Sequence, residues 1–159
     1  MVLKIPLTQG KFAIVDKCDY AWLNKHKWYY TQGYALRHSK RINGRQKTIY
    51  MHRAILERQG FKDFVHTDHV NGDGLDNRRN NLRPATVSQN QHNQKKSENN
   101  TSGFKGVSRH KRDQKWQATI QINGKRRHLG YFDDLKKAAK AYNKAAKKYH
   151  KEFAYLNKV

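Results

Sequence analysis

Val65-His-Thr-Asp-His-Val-Asn-Gly-Asp-Gly-Leu-Asp-Asn-Arg-Arg-Asn-Asn-Leu-Arg-Pro-Ala-Thr-Val-Ser-Gln-Asn90 is the stretch on which the reading of this chain turns. Phe64-Val65 opens a strand carrying Asp68 and His69, and Asn71-Gly-Asp-Gly74 turns the chain. The returning limb holds Asn81, twelve residues past the histidine. Thr86 and Gln89 form a capping-box pair, so a helix starts at about Val87 and runs to about Lys96. Strand, loop, strand and helix make a ββα unit. It presents a carboxylate, an imidazole and two amides, the last being Asn90 on the helix.

Those four side chains are the parts needed to hydrolyse a phosphodiester with one metal ion. Asp68 and Asn90 supply oxygen ligands, and carboxylate, amide and water oxygens favour Mg²⁺, then Mn²⁺, over zinc. Such an ion holds a non-bridging phosphate oxygen and the leaving oxygen. His69, with an ordinary pKa of about 6.5, accepts the proton of attacking water at neutral pH. Asn81 bonds backbone across the loop and fixes the histidine's orientation. Gln94 lies four residues past Asn90 on the same helix face. A calcium loop is excluded, because a match starting at His69 lacks the opening carboxylate and has Asn80 where the bidentate glutamate belongs. A histidine zinc site is disfavoured, because His66 and His69 project to opposite faces of a strand.

The composition points to a polyanionic partner. Lys plus Arg outnumber Asp plus Glu by 34 to 12 over 159 residues, a net charge of +22 with pI near 10.3. Domains of this size usually stay within about 8 charges of neutral, and binding phosphates releases condensed counterions. No apolar run approaches the roughly 18 residues of a spanning helix. The start, Met-Val-Leu-Lys-Ile-Pro, lacks the basic head and long apolar stretch of a signal peptide. Cys18, the one cysteine, excludes an internal disulfide and any cysteine zinc site. The expectation is a soluble, unsecreted protein of the cytoplasm, without a small-molecule cofactor.

Around the ββα segment, residues 1–50 read as short strands and turns. Phe12–Val15 is one strand, Lys27–Tyr30 and Tyr34–Leu36 flank a Thr31-Gln32-Gly33 turn, and Lys47–Met51 follows the hairpin signal Asn43-Gly44. Asp19–Asn24 makes one helical turn, and a short helix from His52 ends at Gly60. Tyr20, Trp22, Trp28, Tyr29, Tyr30 and Tyr34 read as the core of a small sheet rather than stacking platforms for bases. Residues 97–102, polar and aperiodic, are a linker. Beyond it, Val107 begins a strand, and Trp116, Ala118, Ile120 and Ile122 alternate with Gln117, Thr119 and Gln121. Asn123-Gly124 closes a hairpin, Arg126 to Leu129 returns, and Asp133 caps a helix. Its apolar positions are spaced at i, i+3, i+4 and i+7 from Leu135 to Tyr149. Its lysines fall on the solvated side.

Met51-His52-Arg53, Asp68-His69, Asn71-Gly-Asp-Gly, Asn80-Asn81-Leu82-Arg83 and Ser88-Gln89-Asn90 together closely resemble the HNH homing endonucleases of phages and mobile introns. The resemblance implies a ββα-metal (His-Me finger) nuclease unit with Asp68 and Asn90 as metal ligands, His69 as general base and Asn81 as the loop-bracing asparagine. Asparagine stands at the family's third H position. His52 packs or contacts a phosphate.

Ser102-Gly-Phe-Lys-Gly-Val-Ser108, Lys115–Ile120, His128-Leu-Gly-Tyr-Phe-Asp133, Ala138–Asn143 and Phe153–Asn157 resemble the plant ethylene-response-factor (Apetala-two) DNA-binding domain. The resemblance implies a three-stranded antiparallel sheet in the major groove with one helix packed behind it. The alternation then turns Gln117, Thr119 and Gln121 outward, with Lys105, Ser108, His110, Arg126 and His128 as further groove-side candidates. Ser108, Thr119, Gln121 and His128 partly replace the family's arginine and tryptophan readers, so the plant target sequence does not carry over.

The whole reads as an α+β chain. A nuclease unit at 1–96 has a β-rich part at 1–50 and a ββα core at 51–96, and a DNA-binding module follows at 103–159. The expected function is metal-dependent cleavage of duplex DNA, one nick per active site, by a monomer or weak dimer. The alternative is a non-catalytic, sequence-specific DNA-binding regulator; an RNA-binding protein is the third reading.

Overall fold

Short apolar stretches between tight turns build the first half of the chain into small antiparallel sheets. The computed structural model describes residues 1–159, a mixed α/β chain with four antiparallel sheets and four α-helices. It divides into two units, Met1–Thr86 and Val87–Val159.

In the first unit β1 (Val2–Pro6) pairs with β2 (Phe12–Asp16), and α1 (Lys17–Leu23) follows. β1 has no counterpart in the sequence reading, although Leu3 and Ile5 alternate with Lys4 and Pro6. β3 (Tyr29–Thr31), β4 (Tyr34–His38) and β5 (Thr48–Tyr50) form a sheet in that order. Gln32-Gly33 and Asn43-Gly44 both turn with positive φ at both residues, the backbone that two-residue hairpins need. α2 (Met51–Arg58) then leads to the hairpin of β6 (His66–His69) and β7 (Leu82–Ala85).

Met51, Ile55 and Leu56 recur at helical spacing and are wholly buried with Ile5, Val15, Leu23 and Trp28. Each such side chain contributes about 1.5–3 kcal/mol of apolar burial. Trp28 satisfies its indole N–H on Leu23 O at 2.8 Å, so it is a core residue and not a stacking platform.

In the second unit α3 (Val87–Asn93) precedes β8 (Val107–His110), β9 (Lys115–Ile122), β10 (Lys125–Phe132) and α4 (Leu135–His150). The sheet runs β10-β9-β8, with Asn123-Gly124 as the positive-φ turn. Val107, Ala118 and Ile120 meet Ala138, Ala139, Tyr142, Ala145 and Ala146 of α4. Alanines at the contact let the helix axis approach the strands closely. A Cβ on Gly106 would overlap the Tyr142 ring and Thr119 O, so that position tolerates only glycine.

Several boundaries differ from the sequence reading, most of them by a residue or two. The cap of α4 is Asp134, whose carboxylate accepts from Lys137 N at 2.7 Å; Asp133 reaches Lys115 instead. α3 stops at Asn93, three residues early, because its last carbonyls are taken by a lysine described below. Residues 97–102 do not behave as a linker throughout: buried Ser102 donates to Val107 O at 2.7 Å, and Asn100 Nδ2 donates to Phe104 O at 2.9 Å. The division of the chain falls before α3. No helix is long and apolar enough to cross a membrane.

Candidate active site and nucleic-acid face

The β6–β7 register sets Asp68 opposite Arg83 and His69 opposite Leu82. Asp68 is 3% exposed, and Arg83 engages its Oδ2 through Nε at 2.7 Å and a terminal nitrogen at 2.6 Å. Neighbours on a strand face opposite ways, which sends His69 into an aromatic enclosure. Its ring lies edge-on to His52 at 5.2 Å and 5.9 Å from Tyr34, while His52 stacks on Tyr50 at 5.3 Å. A Cβ on Gly74 would overlap Gly33 O and the Tyr34 ring, so the loop glycine permits this close approach.

Asn77, buried at 1% exposure, sets the histidine's protonation pattern. Its Nδ2 donates to Leu75 O at 3.2 Å, which turns Oδ1 toward His69 Nε2 at 3.4 Å. An amide oxygen only accepts, so Nε2 bears the hydrogen and the neutral ring keeps its lone pair on Nδ1. Burial pushes the His69 pKa below its ordinary value, against the Asn77 bond and the charges of Asp68, Asp73 and Asp76. Burial, with the charges of His69 and Arg53, also drives His52 down to about 3. Both rings are therefore neutral at pH 7. His52 Nδ1 is buried without a partner.

Asn81 ties the intervening loop to itself. Its Oδ1 accepts from Asn71 N at 3.0 Å, and its Nδ2 donates to Asn71 Oδ1 at 3.0 Å and Asp76 O at 2.7 Å. Further ties reach the rest of the unit: Ile14 N to Leu75 O, Asn77 N to Ile14 O, and Arg79 to Asp19 at 2.7 and 2.8 Å. Burial raises the Asp19 carboxyl, but Arg79 and Trp22 outweigh it and hold the pKa low. Arg78 does the same for Asp76, against burial.

Asp68, His69 and Asn81 thus share one hairpin and its loop, whereas Asn90, half-buried on α3, belongs to the second unit. Asn77 escaped the sequence reading because its role depends on which way an amide faces across a loop.

On the second unit, register puts Gln117 between Ser108 and Tyr131, Thr119 opposite His128, and Gln121 opposite Arg126. Gln117 Nε2 lies 3.2 Å from His128 Nδ1. Arg126 and His128 are exposed, while half-buried His110 meets Asp113 at 3.2 Å and the Tyr131 ring at 4.8 Å. Leu129 packs on the core, and a bulge between His128 and Gly130 brings Tyr131 to the His128 side, ring to ring at 4.5 Å. Uniform alternation would have sent Tyr131 inward; the Gly130 in His-Leu-Gly-Tyr was the available signal of a bulge.

Lys105 requires a correction, since it is not a groove-side residue. Its ammonium donates to Gln91 O at 3.2 Å, His92 O at 2.7 Å and Gln94 O at 2.5 Å, capping the C-terminus of α3, and burial lowers its pKa to about 8. Lys105 precedes β8 and lies in a turn, where strand parity has no meaning.

Comparison with known proteins matches these two parts. Residues 102–152 match the AP2 domain. The chain is 30% identical over 152 residues, 95% of its length and 77% of the relative's, to an uncharacterized HNH endonuclease of Acanthamoeba polyphaga mimivirus. It is 34% identical over 87 residues, 55% of its length and 71% of the relative's, to Protein 3.8 of Escherichia phage T7. No solved structure matches. With a relative of that identity and coverage, and the Asp68-His69 hairpin intact, the chain belongs to the HNH endonuclease family and carries an AP2 domain.

Proposed function

We propose that this protein is a metal-dependent endonuclease that nicks duplex DNA, one strand per active site, as a site-directed nuclease of a phage or mobile element acting in the host cytoplasm or nucleoid. The observation that carries the reading is buried His69, its Nε2 3.4 Å from Asn77 Oδ1, next in the chain to a buried carboxylate. Such a histidine takes the proton of an attacking water on Nδ1, while Asn77 Oδ1 goes on accepting from Nε2. Asn81 keeps the loop from shifting as the ring gains charge.

Asp68 would hold the metal in the first unit, and Asn90, the other ligand that the family resemblance implies, lies in the second. One carboxylate and one amide oxygen suit Mg²⁺, with Mn²⁺ as a substitute. A carboxylate has room for more than one partner, so Arg83 on Oδ2 is compatible with a cation at the same group. When bound, the ion supplies positive charge against the developing charge on the phosphate and leaving oxygens. No three His, Cys, Asp or Glu side chains form a metal cluster here; the proposed donor set is of another kind.

The AP2 sheet supplies recognition in this reading. Gln117, Thr119, Gln121, Arg126, His128 and Ser108 face base edges in the major groove, His110 and Tyr131 support them, and Lys105 takes no part. A monomer or weak dimer suffices for nicking. Incubation with supercoiled plasmid tests the reading: open-circular product with Mg²⁺ and none with EDTA is expected. DNA binding without any product under either condition would favour a non-catalytic regulator.

A further inference from the structure

Between Asp19 and Glu57 the chain contains no acidic residue. Within that interval Lys40, Arg41, Arg45 and Lys47 crowd the ribbon that joins β4 to β5, all four exposed. None joins an ion pair; every salt bridge in the protein uses other residues. At its tip stands Ile42, 72% exposed, more so than any large apolar side chain except Met1. An isolated exposed isoleucine is ordinary. One set among four uncompensated cations at the end of a projecting ribbon fits a particular partner.

The ribbon is locally braced. Ile42 and Arg45 exchange both backbone bonds, at 2.9 and 3.0 Å, around the Asn43-Gly44 turn. Directly opposed residues project to the same side, so Ile42 and Arg45 share one face of the tip. Nearer the sheet, Ser39 N donates to Lys47 O at 2.9 Å, Lys47 N to Ser39 Oγ at 3.0 Å, and Gln46 Nε2 to Ser39 O at 3.0 Å. Ser39, Lys40, Ile42, Asn43, Arg45 and Lys47 line a concave side of the ribbon.

We propose that the Lys40–Lys47 ribbon is a DNA-contacting element of the nuclease unit itself, entering the minor groove with Ile42 as an apolar wedge. Lys40, Arg41, Arg45 and Lys47 hold the phosphates on either side. Charge complementarity selects a phosphate polyanion, and an apolar tip flanked by Arg and Lys is the side-chain set that unstacks a base step from the minor groove. The ribbon belongs to the first unit and the AP2 sheet to the second. The inference rests on duplex DNA being the partner, and not on whether that DNA is cut.

Binding by the full chain tests it. Fluorescence anisotropy with a labelled duplex across a salt series gives the slope of log K against log salt. Each lost phosphate contact lowers that slope by about 0.9, so K40A/R41A/R45A/K47A is expected to lower it by about 3 to 4. Ile42→Ser is expected to keep the slope, weaken affinity, and reduce the bend reported by energy transfer between dyes at the duplex ends. Both variants alter only exposed side chains, and an unchanged thermal midpoint confirms their folding.

A slope within about one of wild type in the quadruple variant overturns the phosphate contacts, and unaltered bending with Ile42→Ser overturns the wedge. Preference of the ribbon for structured RNA or anionic vesicles, seen as a loss in the variant confined to those probes, also overturns it. A wild-type chain that binds duplex and leaves it uncut sinks the nuclease reading alone. A wild-type chain that does not bind duplex sinks both.

Discussion

Replacing Asn81 by alanine removes three hydrogen bonds at once, the acceptor for Asn71 N and the donors to Asn71 Oδ1 and Asp76 O. Each contributes about 0.5–1.5 kcal/mol net, so the sum lies near 3 kcal/mol. Asn81 and Asp76 are both buried, which favours the upper half of that range because water cannot readily replace the lost partners. A unit of this size shifts its thermal midpoint by about 4–8 °C per kcal/mol, giving a fall of about 12–24 °C for the first unit. The assay pairs thermal unfolding with hydrogen exchange at the Asn71 amide, which should lose its protection. Plasmid nicking should drop as well, because the loop carrying Asn77 loses its hold on His69. A midpoint within about 3 °C of wild type, with the Asn71 amide still protected, would show that the remaining ties hold the loop and that Asn81 does not brace it.

Four other expectations follow from the same geometry. His52, neutral down to about 3 when folded against an ordinary 6.5, contributes stability that is full above pH 6.5 and lost as pH falls below it. His52→Gln should therefore remove about 2 kcal/mol of the loss between about pH 7 and 5 seen in urea titrations of wild type, and an unchanged pH dependence would contradict this. Asp19 and Asp76, held below 3.8, lose their contribution only at lower pH and do not confuse the comparison. Arg83→Ala leaves buried Asp68 without its guanidinium and should cost about 3 kcal/mol; millimolar Mg²⁺ should restore more stability to this variant than to wild type, and equal thermal shifts would argue against Asp68 as a ligand. Lys105→Met should melt α3, seen in NMR shifts of residues 87–93, while leaving the salt slope of DNA binding untouched. Arg126→Ala should lower that slope by about one if it meets phosphate, or lose about 1–3 kcal/mol at particular bases if it reads guanine.

Much of this molecule was legible because turn chemistry and period carry their own geometry. Asn43-Gly44 and Asn123-Gly124 marked hairpins through a backbone that few other residues adopt, and Trp116, Ala118 and Ile120 showed their buried face by alternation alone. What stayed hidden depended on contacts distant in sequence. Asn77 matters through a histidine eight residues away and a carbonyl that turns its amide; no spacing rule encodes that. Lys105 looked like a groove residue until the ends of α3 supplied carbonyls for it. The bulge at Leu129 reversed the facing of Tyr131, and only the neighbouring glycine hinted at it. The paired aspartates at 133 and 134 left the cap uncertain by one residue, because either carboxylate could reach a helix N-terminus until the backbone chose.

In the proposed function His69 moves a proton and does not hold DNA. His69→Ala, compared with wild type for nicking of supercoiled plasmid in Mg²⁺ and for binding of a labelled duplex at the same salt, tests it most directly. The expected result is a rate lower by about 10²–10⁴ with binding nearly unchanged. Cutting at the wild-type rate, or loss of nicking that merely tracks loss of binding, would contradict it.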